Sequence, residues 1–159
     1  MPVTRRHWLG LAGGTALVAA MSGRNALRRT RATPAVTGIP LTLHASAACE
    51  CCHTWASHLS AQGFRVTKRV LANVDAIKDA LGVPAALRSC HTAEVAGYVV
   101  EGHVPAGILR RFLQKQRTEI GLAAPGMPGG SPGLESTPKA PFDVMAFGRD
   151  GASRVYARA

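Results

Sequence analysis

The spacing of apolar residues changes period several times along the chain. Ile39, Leu41 and Leu43 alternate with other residues, which predicts a first strand over 39–44. Cys52, Trp55 and Leu59 then recur on one helical face. They predict a helix from Cys52 to Gln62 that Gly63 ends. Phe64, Val66 and Val70 give a second strand over 64–71. Asn73 is a suitable N-cap for a second helix carrying Val74, Ile77 and Leu81, closed by Gly82. Pro84 breaks the chain there. Residues 92–95 and 98–100 read as a hairpin turning at Ala96-Gly97. Pro105 opens a third helix, with Ile108, Leu109, Phe112 and Leu113 inward and Arg110, Arg111 and Lys115 outward. Residues 142–147 and 153–156 suggest a last hairpin around Asp150-Gly151.

The order strand, helix, strand, helix, hairpin, helix predicts an α/β domain of thioredoxin-like arrangement, a mixed central sheet flanked by helices. Residues 37–159 are enough for one core without staples. One stretch resists assignment. Residues 124–141 hold five prolines, four glycines and Met127, and read as a long loop of functional interest.

Charge divides the chain. It carries 19 Lys+Arg against 9 Asp+Glu, but six of the arginines lie in the first 35 residues with no acid among them. The remainder is only mildly basic. Arg110, Arg111, Lys115 and Arg117 therefore read as a solvated helix face, not as a nucleic-acid surface. Thr4-Arg5-Arg6-His7-Trp8-Leu9 precedes a short apolar run, Leu9 to Met21. A spanning helix needs about 20 apolar residues, so a stable membrane span is not expected in the mature chain. A basic segment before a short apolar one has the form of an export signal, and the paired arginines resemble the twin-arginine motif. The expected organisation is an export signal and linker over 1–36, then one domain over 37–159. Export of this kind delivers the domain to the periplasm.

Four cysteines must be explained in that oxidising compartment: Cys49, Cys51, Cys52 and Cys90. Two structural disulfides are the default. The spacing argues otherwise, because three of the four fall within four residues. They lie where the first strand meets the first helix. Free N–H groups and the positive end of the helix dipole stabilise thiolates at such a point. Cys90-His91 enters the hairpin, which in a thioredoxin-like fold passes beside that helix start. Three or four thiolates, the His91 imidazole and the Met127 thioether form a soft ligand set suited to Cu(I) or Zn. Three sulfurs on one turn spread poorly around a single tetrahedral zinc, so bridging thiolates shared by several Cu(I) ions fit better. Cys49 and Cys52 also have Cys-x-x-Cys spacing, which keeps a dithiol redox role open. No catalytic triad, phosphate-binding loop or carboxylate pair emerges. Trp55 reads as core, His53 and His58 as solvated, and His103 as a helix-start residue or a site residue.

Several motifs occur in order: Cys49-x-Cys51-Cys52, Gly82-Val83-Pro84, Ser89-Cys90-His91-Thr92, the run from Gly97 to Pro105, and the Pro/Gly-rich run from Gly121 to Gly133. Together they resemble the CopG-like family of exported copper-resistance proteins, over residues 39–157. The resemblance implies a thioredoxin-like fold, Cu(I) held by the cysteine cluster, and a role in copper resistance. It implies copper ions as ligand and other periplasmic copper-handling proteins as partners. The metal residues carried over are Cys49, Cys51, Cys52, Cys90, His91 and Met127. Two positions depart from the family pattern. Glu50 stands where the family has Gly, and Leu134 stands where it has a second Met.

Overall fold

The computed structural model describes residues 38–135 and 139–159. The export signal and linker expected over 1–36 lie outside the described residues. Seven strands form one mixed sheet in the order β2-β1-β3-β4-β5-β6-β7. They are β1 (Ile39–Ala45), β2 (Phe64–Val70), β3 (His91–Val95), β4 (Tyr98–Gly102), β5 (Gly121–Ala124), β6 (Asp143–Phe147) and β7 (Ser153–Arg158). Three helices connect them: α1 (Glu50–Ala61), α2 (Asp75–Leu81) and α3 (Ala106–Leu113). This is the thioredoxin-like α/β fold that the element order predicts.

Alternation along the strands separates two cores. Leu41, Leu43, Val100, Leu122 and Ala146 face Trp55 and Leu59 of α1 and Leu109 and Phe112 of α3. Val99, Ala123 and Phe147 face the opposite way, against Leu81, Val83 and Leu87. Adjacent residues such as Val99 and Val100 thus serve different layers, as the two-residue strand period requires.

Four differences from the expected elements have physical causes. The β5 strand was not anticipated. Its Gly-Leu-Ala-Ala sequence is buried on both faces, so it has no alternation to read. It pairs parallel with β4 through Val99↔Gly121 and antiparallel with β6. The α1 helix begins two residues early, at Glu50, with Cys49 as its N-cap residue. In α2, the fully buried residue is Lys78, while Ile77 and Leu81 are only half-buried. Asn73 does cap this helix, its Oδ1 accepting the Asp75 and Ala76 N–H groups. Arg117 is not a free surface charge. It lies over the rings of Phe112 and Tyr156, at 5.3 and 5.2 Å.

The close approach of β4 and β5 requires a glycine. A Cβ on Gly121 would stand 2.3 Å from the Val99 carbonyl oxygen and 2.6 Å from the Phe147 ring. Gly121→Ala should therefore cost about 1–3 kcal/mol, as overpacked cores do. Urea denaturation checks this, and an unchanged midpoint would contradict it.

Candidate metal centre

The site forms where two strand ends meet a helix start. In the antiparallel β1–β3 pair, Ala45 lies opposite His91. The chain leaves β1 at Ala45, turns through 46–48 and enters α1 at Glu50. Cys90 stands just before β3. The register therefore brings Cys90 and His91 beside Cys49, Cys51 and Cys52, although 39 residues separate Cys51 from Cys90. No side chain caps the α1 N-terminus. Its first-turn N–H groups and positive dipole end are free to act on the sulfurs.

The four Sγ atoms lie within 4.8 Å of one another. Cys49 and Cys52 form a disulfide, with Cα atoms 5.5 Å apart. Cys51 and Cys90 are free thiols. Their sulfurs are 3.4 Å apart, and Cys49 Sγ lies 3.7 Å from Cys51 Sγ. His91 Nδ1 stands 3.3 Å from both Cys52 Sγ and Cys90 Sγ. Cys49 and Cys52 are buried, while Cys51 and Cys90 are half-buried. The bridge uses the Cys-x-x-Cys pair, although the spacing argued against structural staples. A four-thiolate ligand set therefore exists only after its two-electron reduction.

A second donor group adjoins the first. Cys90, His91 and His103 offer ligand atoms within 4.8 Å of one another. Both histidines are fully buried, and Nε2 of each has no hydrogen-bond partner. A buried polar nitrogen without a partner is costly. A soft cation at these nitrogens would remove that cost, so the donors present fit a thiophilic metal. Burial holds the His91 pKa down to about 3, with His103 and then Lys78 adding to the effect. Burial lowers that of His103 too. Both rings are thus neutral, the form that binds metals. Burial, followed by the hydrogen bond and charge of Cys51, pushes the Cys90 thiol up to about 12.

The Pro/Gly-rich loop folds onto this centre. The Pro132 carbonyl accepts the His103 Nδ1 hydrogen at 2.7 Å. Gly133, at φ +90°, packs where a Cβ would stand 2.9 Å from the Trp55 backbone nitrogen and 3.2 Å from His103 Nδ1. Met127 rides on the same loop at φ +46° and is 40% exposed. Trp55 is fully buried, donating Nε1–H to the Val104 carbonyl. Its ring lies 4.7 Å from that of His91. The remaining histidines among the described residues have separate roles. His44 pairs with Glu94, and exposed His53 meets Lys68. His58 is half-buried instead of solvated, and its Nε2 accepts the first N–H of α3, from Ala106. A surface cavity lined by Thr118, Arg149 and Arg154 shares no residue with the centre.

Behind the centre lies an ion pair that sequence reasoning missed. Lys78 Nζ donates to Glu101 Oε1 at 2.5 Å, and neither side chain is exposed. The same oxygen accepts the Ser89 N–H at 2.5 Å, while the Ser89 hydroxyl donates to the His91 carbonyl. The pair thereby fixes the turn that carries Cys90. A lysine on a predicted inward face, Lys78 beside Ile77 and Leu81, is the only sign of it in the sequence.

Two solved structures of copper resistance protein CopG, its Form 1 and Form 2, match this chain. Each superposes with a TM-score of 0.72 at 41% identity, covering 77% of this chain and 98% of the other. The chain belongs to the CopG family. A family model described as a protein of unknown function, DUF411, matches residues 87–134, from the turn before Cys90 into the Pro/Gly-rich loop. No curated protein matches. Glu50 is exposed in the first turn of α1, and Leu134 is half-buried in the loop.

Two outcomes follow. Glu101→Ala should destabilise the domain by about 3–5 kcal/mol, because it leaves the Lys78 charge buried and unpaired. Lys78→Met combined with Glu101→Leu should restore most of that loss, as measured by urea denaturation. The metal-free domain should also weaken in acid. At neutral pH neither state protonates His91. As the pH falls below the ordinary histidine value of 6.5 the unfolded chain takes a proton, which the folded chain refuses until about pH 3. The fall in urea midpoint between neutral pH and about pH 4 should be shallower in His91→Phe.

Proposed function

We propose that this chain is an exported copper-binding protein acting in copper resistance. In this reading Cys49, Cys51, Cys52 and Cys90, once reduced, hold Cu(I) as a multinuclear thiolate cluster, with His91 as the nitrogen ligand. Met127, on the loop that also carries Pro132 and Gly133, is the remaining donor assigned to the metal in this reading. The observation that carries the reading is the gathering of four sulfurs within 4.8 Å at a helix start, in a chain 41% identical to copper resistance proteins.

The chemistry follows from softness and crowding. Thiolates prefer Cu(I) to hard cations. Three sulfurs from one helical turn and a fourth from the β3 turn lie close enough for thiolates to bridge several Cu(I) ions. Burial of Cys49, Cys52 and His91 shields one side of the centre from water, which limits cycling of the metal with oxygen. Because ligation needs thiolates, loading releases protons, and affinity falls as pH falls. The twin-arginine-like leader assigns the work to the periplasm, where other copper-handling proteins supply or receive the ion. Among the described residues no helix is long and apolar enough to cross a membrane.

One observation favours a second reading. The Cys49–Cys52 disulfide sits at a helix N-terminus, the position of an exchangeable pair in thiol–disulfide oxidoreductases. In that reading Cys51 is dispensable, whereas in the cluster reading it is a ligand.

Anaerobic titration of the reduced protein with Cu(I), followed by thiolate-to-copper charge transfer and elemental analysis, separates the two. The expected result is more than one copper per chain, with stoichiometry reduced in Cys51→Ser. Weak binding, together with Cys49–Cys52 turnover on a protein disulfide that survives Cys51→Ser, would overturn the copper assignment.

A further inference from the structure

The closed Cys49–Cys52 bridge leaves Cys51 and Cys90 as free thiols. A sulfur bonded to sulfur carries no thiolate charge and is a poor metal ligand. Two of the four sulfurs are therefore withdrawn, and both are buried. The other two are left facing each other at 3.4 Å, on different elements. Cys51 rides on α1 and Cys90 on the turn before β3. Both are half-buried, so an ion can reach them while protons leave. His91 Nδ1 stands 3.3 Å from Cys90 Sγ, on a ring whose Nε2 has no partner.

We propose that Cys51, Cys90 and His91 form a site of their own, which takes one monovalent d10 cation while the Cys49–Cys52 bridge stays closed. The inference rests on the copper reading and adds a regulation to it. Two sulfurs and one nitrogen suit the low coordination numbers of Cu(I) and Ag(I), and do not satisfy tetrahedral zinc. The bridge then sets the load. Closed, the centre holds one ion. A dithiol reductant that opens it donates two electrons and two protons, breaks the sulfur–sulfur bond, leaves two thiols and itself becomes a disulfide. The centre then has four sulfurs and a larger capacity.

The test uses the full chain with the bridge intact and Ag(I) as probe. Native mass spectrometry reads the load, and peptide mapping after alkylation reads which thiols are protected. One silver per chain is expected, with Cys51 and Cys90 both protected. In Cys90→Ser and in Cys51→Ser the apparent affinity should fall at least tenfold. Reduction with a dithiol, followed by its removal, should raise the load above one. The proposal fails if the bridged protein takes no silver, if Cys51 and Cys90 remain open to alkylation when silver is bound, or if they prove to be joined in a second disulfide. If the bridged form is empty while the reduced form takes several ions, the separate site falls and the thiolate-cluster reading stands. If neither form takes silver, both fall.

Discussion

The register of one strand pair, Ala45 opposite His91, underlies the whole centre. It brings the end of β1 and the start of β3 to the same edge of the sheet, so the helix that follows one and the turn that precedes the other must touch. A slip of one residue would turn His91 toward the α2 layer and reverse every side chain of β3. Ala93 and Val95 share the face of His91 and are buried against α1 and α3. Moving them out of that core is what a slip would cost. The hydrophobic core therefore specifies the sulfur geometry indirectly. The site needs no separate anchoring of its cysteines, only a sheet that can pair in one way.

A polar contact on the other face of the sheet makes the same arrangement finer. Glu101 belongs to the strand paired with β3, opposite Thr92, and reaches the Ser89 amide one residue before Cys90. Lys78 supplies the countercharge from α2. An isolated buried pair of this kind contributes little net stability. Its position explains its presence better than its energy does. It holds a turn that has no ladder of hydrogen bonds of its own, and that turn carries a sulfur.

Much of this was legible in the sequence, for identifiable reasons. Strand β2 and helix α3 bury mainly one face each, and β1 alternates through Leu41 and Leu43, so their periods could be read directly. The cysteine trio was visible because its spacing suits a helix start and leaves two disulfides implausible. The β5 strand was not visible, since a four-residue segment buried on both sides carries no periodic signal. Lys78 gave no signal of its role, because a lone lysine on an apolar helix face is ordinarily exposed, and its partner lies 23 residues away. His103 was ambiguous for a related reason. Its approach to His91 depends on the β3–β4 pairing and on the loop carbonyl of Pro132, neither of which local spacing encodes. The pairing of Cys49 with Cys52 was open as a redox possibility, but the sequence could not show which sulfurs the fold would bond.

The indole of Trp55 is the only one among the described residues, and its ring lies 4.7 Å from the His91 imidazole and 6.4 Å from that of His103. It is fully shielded from water and fixed by its hydrogen bond to Val104. Its excited state therefore samples a rigid, dry surrounding in which little changes except the charge and electron count of the atoms just beyond those rings. The domain consequently contains an intrinsic fluorophore whose emission is governed by the condition of the sulfur–imidazole cluster, without any label being added.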